Sequence, residues 1–294
     1  MDYKKLIIKK YEKSVSTNLS DIKKILGVRT QKFNNISDYR NLLITSSKSM
    51  VIKWKSNKKY LRTEFVLRAF VELYPVKLIE QSIMVDAMIN ILDDLLDSNL
   101  DKQDKMLYIL EYLRVFSIYN FSLPSLRVQK VMGNYFDKLI TLAVAEFNYQ
   151  EEIVNENIFD KKIQLSTELL LMRAMDIDVF VQIPLTKENL DIETNTISAA
   201  SKVFRAGNIL KKDLLDIDID KKQGQATLIT YIYDKHTRDM KGYIHGILGL
   251  LESRMDSIIK RGINRRSKTI RDNSRNMFIE QKDEIDKIIT KLVK

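Results

Sequence analysis

A chain of 294 residues with no cysteine, two histidines, three prolines and eight glycines excludes disulfides, zinc ribbons and thiol chemistry, and leaves almost nothing for a His-based metal site or a Ser-His-Asp triad. Its formal net charge of +10 suggests affinity for anions, but no recognised module accompanies that charge, so nucleic acid is not expected as a partner. Met1 to Lys10 lacks the apolar core of a signal peptide and no apolar run is long enough to cross a bilayer, so the chain reads as soluble and cytoplasmic.

Scarce breakers favour long helices, and apolar residues recur at helical spacing from Phe65, Ala69, Phe70 and Leu73 to Ile79, Ile83, Ala87 and Ile91. Further helices are predicted at Lys105 to Tyr119, Leu126 to Gln150, Lys161 to Phe180, Ile192 to Asp220, Leu228 to Tyr233, Met240 to Ile259 and Asn273 to Val293. Turn-forming residues place breaks at Ser56-Asn57, Tyr74-Pro75, Ser98-Asn99, Ser122 to Ser125, Gln182 to Pro184 and Gln223-Gly224. No linker, repeat or low-complexity segment divides the chain. The expectation is an all-α fold: one helical-bundle domain over residues 1–294, ending in a basic helical extension over 254–294. The tract Arg254 to Arg275 sets eight basic residues against Asp256 and Asp272, which reads as a solvated helix face or loop, with peripheral membrane contact as a weaker alternative.

Asp93-Asp94-Leu95-Leu96-Asp97 follows directly on the apolar run Ile79 to Leu92, an expensive place for charge. On a helix Asp93 and Asp97 lie one turn apart with Asp94 beside them, so their oxygens can converge on a hard divalent cation such as Mg²⁺, which fills its other positions with water or substrate phosphate. An isolated cluster of this kind is as readily a solvated helix end. About 120 residues later, Lys212-Asp213-Leu214-Leu215-Asp216-Ile217-Asp218-Ile219-Asp220 repeats the theme. Asp213, Asp216 and Asp220, spaced by three and four, share one helical stripe, and a bundle that tolerates two such stripes is expected to bind something cationic between them.

The two clusters, in this order and at this separation on a helical chain, resemble the class I isoprenoid synthases, specifically the trans-prenyl diphosphate synthases. Lys58-Lys59-Tyr60-Leu61-Arg62 looks like the family's G-K-x-x-R segment, with Lys58 in place of its glycine. Asn208 to Asp216, then Lys221, Lys222, Gly224 and Ala226-Thr227-Leu228, is similar to its second Asp-rich region and the following loop, so the resemblance spans roughly residues 50–235. The resemblance implies a helical bundle of the isoprenoid synthase type and Mg²⁺ as cofactor. Asp93, Asp94, Asp97, Asp216 and Asp220 would be the metal ligands, with Asp213 a further catalytic carboxylate. Lys59 and Arg62 would grip the diphosphate of isopentenyl diphosphate, Lys212 and Lys222 would contact substrate, and Met88 and Ile89 would set product length or simply pack in the core. It also implies a homodimer.

The departures from the pattern are specific. Only Lys102 and Lys105 stand where the family has an Arg pair after the first cluster. Asp86 replaces a His or Gln diphosphate contact, and as a carboxylate it would repel a diphosphate unless protonated or paired with Lys59 or Arg62. Ser166-Thr167 replaces a Lys-Thr pair, with Lys161 and Lys162 one turn away, and Lys212 replaces the leading aspartate of the second cluster. In the terpene-cyclase form of that motif Asp216 and Asp220 fit the later ligand positions, while Lys212 again fails the first. Three readings follow. The first is a prenyltransferase joining an allylic prenyl diphosphate to isopentenyl diphosphate or another acceptor, including a peptide. The others are a class I terpene cyclase and a non-catalytic regulatory subunit. Trp54 is expected in packing, Phe147 and Tyr149 either beside a carbocation or in the core, and His236 and His245 receive no catalytic role.

Overall fold

In the computed structural model the described residues are 4–13, 62–70, 76–97, 105, 109, 112, 113, 116, 126–185, 191–223, 227–236, 239–261 and 265–292. Among them the chain is helical almost throughout and contains no strand, as the scarcity of breakers requires. No helix among them is long and apolar enough to cross a membrane. The chain forms two compact units, Met1–Val128 and Gln129–Lys294.

In the first unit α1 covers residues 4–13, α2 Arg62–Ala69 and α3 Val76–Asp97. Helix α1 buries Ile7, Ile8 and Tyr11 at the three-to-four spacing of one helical face. Helix α3 begins directly after Pro75 and stops at Asp97, just before Ser98-Asn99. Every residue from Ser82 to Ile91 is buried, Met88 and Ile89 included, which is the mark of a helix enclosed on all sides. Burying an Ile or Met in this way stabilises the fold by about 1.5–3 kcal/mol. One member of the run is a carboxylate, Asp86.

The second unit contains α4 (Leu126–Asn155), α5 (Phe159–Arg173), a 3-10 turn (Ala174–Asp176), α6 (Ile177–Leu185), α7 (Asp191–Leu215), α8 (Ile217–Gln223), α9 (Leu228–Lys235), α10 (Met240–Arg261) and α11 (Arg265–Leu292). Helix α7 is its axis, with α5, α6, α10 and α11 packed against it and α11 following it most closely. Small residues make this approach feasible. A Cβ on Gly207 would lie 2.5 Å from Gln281 Oε1 and 3.2 Å from Phe278, so α11 crosses where α7 has no side chain. Gln281 Nε2 donates to Asn208 Oδ1 at 3.0 Å in the same layer, and a paired polar layer between apolar ones fixes the register of two helices. A Cβ on Gly246 would likewise meet Ile163 at 2.6 Å, marking a second close crossing, of α10 on α5.

Two predicted helices are interrupted. The segment Lys161 to Phe180 breaks at Ala174–Asp176, where neither Gly nor Pro warns of it. Asp176, on that turn, receives the Arg205 fork from α7: Nε reaches Oδ1 at 3.1 Å and Nη2 reaches Oδ2 at 2.8 Å, both side chains being buried. A buried bidentate pair needs good geometry to offset its desolvation, so this tertiary contact holds the turn in place of a continuous helix. The segment Ile192 to Asp220 bends at Asp216 between α7 and α8. Conversely α6 continues through Pro184 to Leu185, although a proline there has no N–H to give to the carbonyl one turn back, and the helix ends one residue later. Helix α9 starts on a reciprocal cap: Thr230 N donates to Thr227 Oγ1 at 3.2 Å, and Thr227 N donates to Thr230 Oγ1 at 2.8 Å.

Candidate functional site

Helix α3 carries Asp93, Asp94 and Asp97 in its last turns, with Asp93 and Asp97 four residues apart as the sequence requires. Their side chains lie outside the described residues, as do Lys59, Trp54 and the side chain of Phe147. Arg62 is described, and its surroundings answer the question raised by Asp86. Asp86 Oδ1 accepts from the Arg62 backbone N–H at 3.1 Å and lies 3.5 Å from Arg62 Nη1. Asp86 Oδ2 accepts from Thr63 N at 2.7 Å and from Thr63 Oγ1 at 2.5 Å. The carboxylate of α3 thus satisfies two orphan N–H groups at the start of α2, a cap supplied by another helix. Burial raises the Asp86 carboxyl above its ordinary range, and the Arg62 guanidinium and the Thr63 donors oppose that rise without cancelling it. Of the two pairings open to Asp86, the one with Arg62 is present, and Arg62 itself is buried.

The second cluster is fully described, and its spacing brings Asp213, Asp216 and Asp220 into electrostatic contact. Helical hydrogen bonds run through the bend: Asp216 N donates to Lys212 O at 3.0 Å and Asp220 N to Asp216 O at 2.9 Å. Lys212, Asp216 and Asp220 therefore stack one turn above another. Asp213 and Asp220 are buried, Asp216 half-buried, and Lys212 exposed. The Asp220 carboxyl is pushed above its ordinary range first by burial and then by the charges of Asp213 and Asp216, while Lys212 and Arg173 oppose the rise. Three carboxylates, one ammonium and one guanidinium share this corner of the unit.

Arg173 was not anticipated from sequence. It is the last residue of α5, and its Nη1 donates to Asp213 Oδ2 at 2.7 Å while Nε lies 3.4 Å from Glu146 Oε1 of α4. Nothing local singles it out, because its partner lies forty residues away; a lone Arg at a helix C-terminus is ordinary. The other cations have different occupations. Lys162 is buried and donates to Tyr231 Oη at 2.8 Å, Ser166 shares a hydrogen bond of 2.8 Å with Tyr243 Oη, and Thr167 donates to its own helix at Ile163 O. Lys221 binds Asp234 Oδ1 at 2.6 Å and lies 4.4 Å from the Tyr233 ring centre, whereas Lys222 is exposed. His245 pairs with Asp286 at 3.0 Å on the surface.

Among the described residues of the basic tract Arg254, Lys260, Arg261 and Lys268 are exposed, as expected of a solvated helix face, and Arg271 is buried in α11. Arg254 binds Glu168 at 2.8 Å and Arg275 binds Asp256 at 3.0 Å. Separately, an open groove of about 960 Å³ runs between α4 and α5, lined by Glu151, Glu152, Glu156, Lys161, Leu165 and Glu168 among others, and none of the second-cluster carboxylates lines it.

Whether this chemistry suits Mg²⁺ can be judged from the donors. Asp216 and Asp220 are hard oxygen ligands in a region of mutually repelling charge, with no imidazole or thiolate to select a softer metal. Among the described residues, however, no group of three or more potential ligands is already gathered around one point. Asp213 is engaged by Arg173. No protein-family model, curated protein or solved structure matches this chain, so the likeness to isoprenoid synthases rests on the residues quoted above.

Proposed function

We propose that the chain is an isoprenoid-synthase-type helical protein acting as a Mg²⁺-dependent prenyltransferase, which ionises an allylic prenyl diphosphate and joins it to isopentenyl diphosphate or another acceptor. The observation that carries this reading is the clustering of Asp213, Asp216 and Asp220 in one corner of the second unit, where burial first, and then the charges of Asp213 and Asp216, raise the Asp220 carboxyl. A fold gains nothing from holding such charges together; a bound cation does. Bound Mg²⁺ would neutralise charge building on the diphosphate as it leaves, the term that dominates catalysis of this kind.

The chain's own residues have distinct parts in that reaction. By the resemblance Asp216 and Asp220 would be metal ligands, as would Asp93, Asp94 and Asp97. Arg173 orients Asp213, and Lys212, exposed one turn before Asp216, offers an ammonium to a phosphate oxygen in the place of the missing ligand. Lys59 retains the acceptor-diphosphate role given by its position.

A second reading, a terpene cyclase that needs no acceptor, is favoured by one observation: Arg62, the other acceptor cation, is buried against Asp86 and caps α2 through it. The test is mass spectrometry of products after incubation with Mg²⁺ and geranyl, farnesyl or geranylgeranyl diphosphate, with and without isopentenyl diphosphate. Elongated diphosphates that require both substrates support the prenyltransferase. Hydrocarbons or alcohols from one substrate support the cyclase. Absence of any Mg²⁺-dependent product, or product unchanged in Asp216→Ala and Asp93→Ala, overturns both.

A further inference from the structure

His236 lies at the turn between α9 and α10 and has no part in the reaction proposed above. Its backbone N–H closes α9 by donating to Ile232 O at 2.8 Å, and its carbonyl accepts from Asp239 N at 2.9 Å. Three rings surround the imidazole: Phe159 of α5 edge-on at 6.3 Å, Tyr231 of α9 edge-on at 5.8 Å, and Tyr243 of α10 tilted at 5.7 Å. Its Nε2 is buried and has no hydrogen-bond partner among the described residues.

The charged and titratable groups facing it come from all three elements. Helix α5 contributes the buried Lys162, whose ammonium donates to Tyr231 Oη and sits 5.4 Å from that ring's centre. Helix α9 contributes Tyr231. The start of α10 contributes Asp239, which is exposed, and Tyr243, whose hydroxyl is held by Ser166. A neutral imidazole suits this box. An imidazolium would lie beside a second buried cation, would bury a charged Nε2 without an acceptor, and would find the Tyr231 ring already shared with Lys162. Among the described residues the exposed Asp239 is the counter-charge, and water screens it. Burial and Lys162 accordingly push the His236 imidazole below its ordinary range, with Asp239 opposing them.

Helix α9 also braces α8. Asp234 and Tyr233 hold Lys221, the residue after Asp220, so the same short helix links the His236 box to the carboxylate cluster. We propose that His236 is an acid-sensitive latch: neutral, it docks α9 against α5 and α10, and protonated, it releases α9 and with it the brace on α8 and Asp220. This inference stands on the packing of α9 and does not depend on what the carboxylates bind.

The test is hydrogen exchange of the full chain at pH 7.5 and pH 5, corrected for intrinsic exchange, with the His236 ring proton followed by NMR. His236 and His245 are the only histidines, so His245→Gln assigns both signals. Expected is a several-fold loss of protection over Leu228–Lys235 at pH 5 relative to pH 7.5. Its midpoint should coincide with that of His236, protection in α7 should not change, and the response should vanish in His236→Phe. Equal protection at both pH values overturns the latch. So does a midpoint that follows another group in the wild-type chain, a comparison that needs no variant to fold.

Discussion

Replacing Asp86 with alanine removes a fully buried carboxylate that accepts from Arg62 N, Thr63 N and Thr63 Oγ1 and lies 3.5 Å from the Arg62 guanidinium. The magnitude follows from what is left behind. Loss of the cap at α2 costs about 0.5–2 kcal/mol by itself. Removing one partner of a buried ion pair costs about 3–5 kcal/mol, because the remaining charge stays desolvated. These contributions overlap, since the same oxygens serve both, and relief of the carboxylate's own burial offsets part of them. A net loss of about 3–5 kcal/mol is expected. Thr63→Val, which deletes only the hydroxyl bond, should cost about 1.5–3 kcal/mol, the range for a hydrogen bond to a charged group. Denaturant unfolding followed by circular dichroism measures both losses, and hydrogen exchange across Arg62–Phe70 locates them. A double-mutant cycle with Arg62→Met isolates the pair. A loss under about 1 kcal/mol for Asp86→Ala, or no coupling in the cycle, would refute the view that Asp86 holds Arg62 and caps α2.

Three further outcomes are expected. Gly207→Ala forces a Cβ against Gln281 and Phe278 and should destabilise the α7–α11 crossing by about 1–3 kcal/mol, read as a lower melting temperature; Gly242→Ala, where a Cβ meets nothing within 4 Å, is the control and should be near neutral or stabilising. Tyr243 is pushed up to about 12 by burial, so its contribution to stability is present below pH 10 and lost as pH rises towards 12; Tyr243→Phe, which cannot ionise, should flatten that part of an alkaline unfolding curve. Asp220 is also raised, so its contribution is fully present below its ordinary 3.8 and lost as pH rises through its folded value; without Mg²⁺, Asp220→Asn should therefore melt higher than the parent at pH 7 and lose that advantage below pH 4.

Local pattern made some of this structure legible and long-range contact hid the rest. The ends of α3 and α8 coincide with Ser98-Asn99 and Gln223-Gly224, and α4 begins at Leu126, directly after Pro124-Ser125 in the sequence, because termini are set by the chemistry of a few adjacent residues. The carboxylate stripe of Asp213, Asp216 and Asp220 was likewise visible, since three-and-four spacing survives the bend at Asp216. The break at Ala174–Asp176 was not visible, because its cause is Arg205 on another helix. Arg173 escaped notice for the same reason. The pairing of Asp86 with Arg62 was stated from sequence only as one of the conditions under which a carboxylate there could be tolerated; burial and the geometry of α2 against α3 select it.

The Asp220 prediction separates two explanations for the acidic corner of the second unit. If Asp220 served the fold, neutralising it would cost stability; burial and the charges of Asp213 and Asp216, which all work against ionised Asp220, predict the opposite. Lys212 and Arg173 reduce that repulsion and do not abolish it, since the carboxyl remains raised. A site that keeps a destabilising charge is explained by a ligand that uses it, and binding returns the cost as a stability that depends on ligand concentration. Mg²⁺ with inorganic diphosphate should thus raise the melting temperature of the parent at pH 7 and leave Asp220→Asn nearly unmoved. A variant that is more stable alone and unresponsive to the ligand is the result expected of a binding residue; one that is less stable alone would mean that Asp220 is a structural anion held by Lys212 and Arg173, and the proposal for this cluster would fall with it.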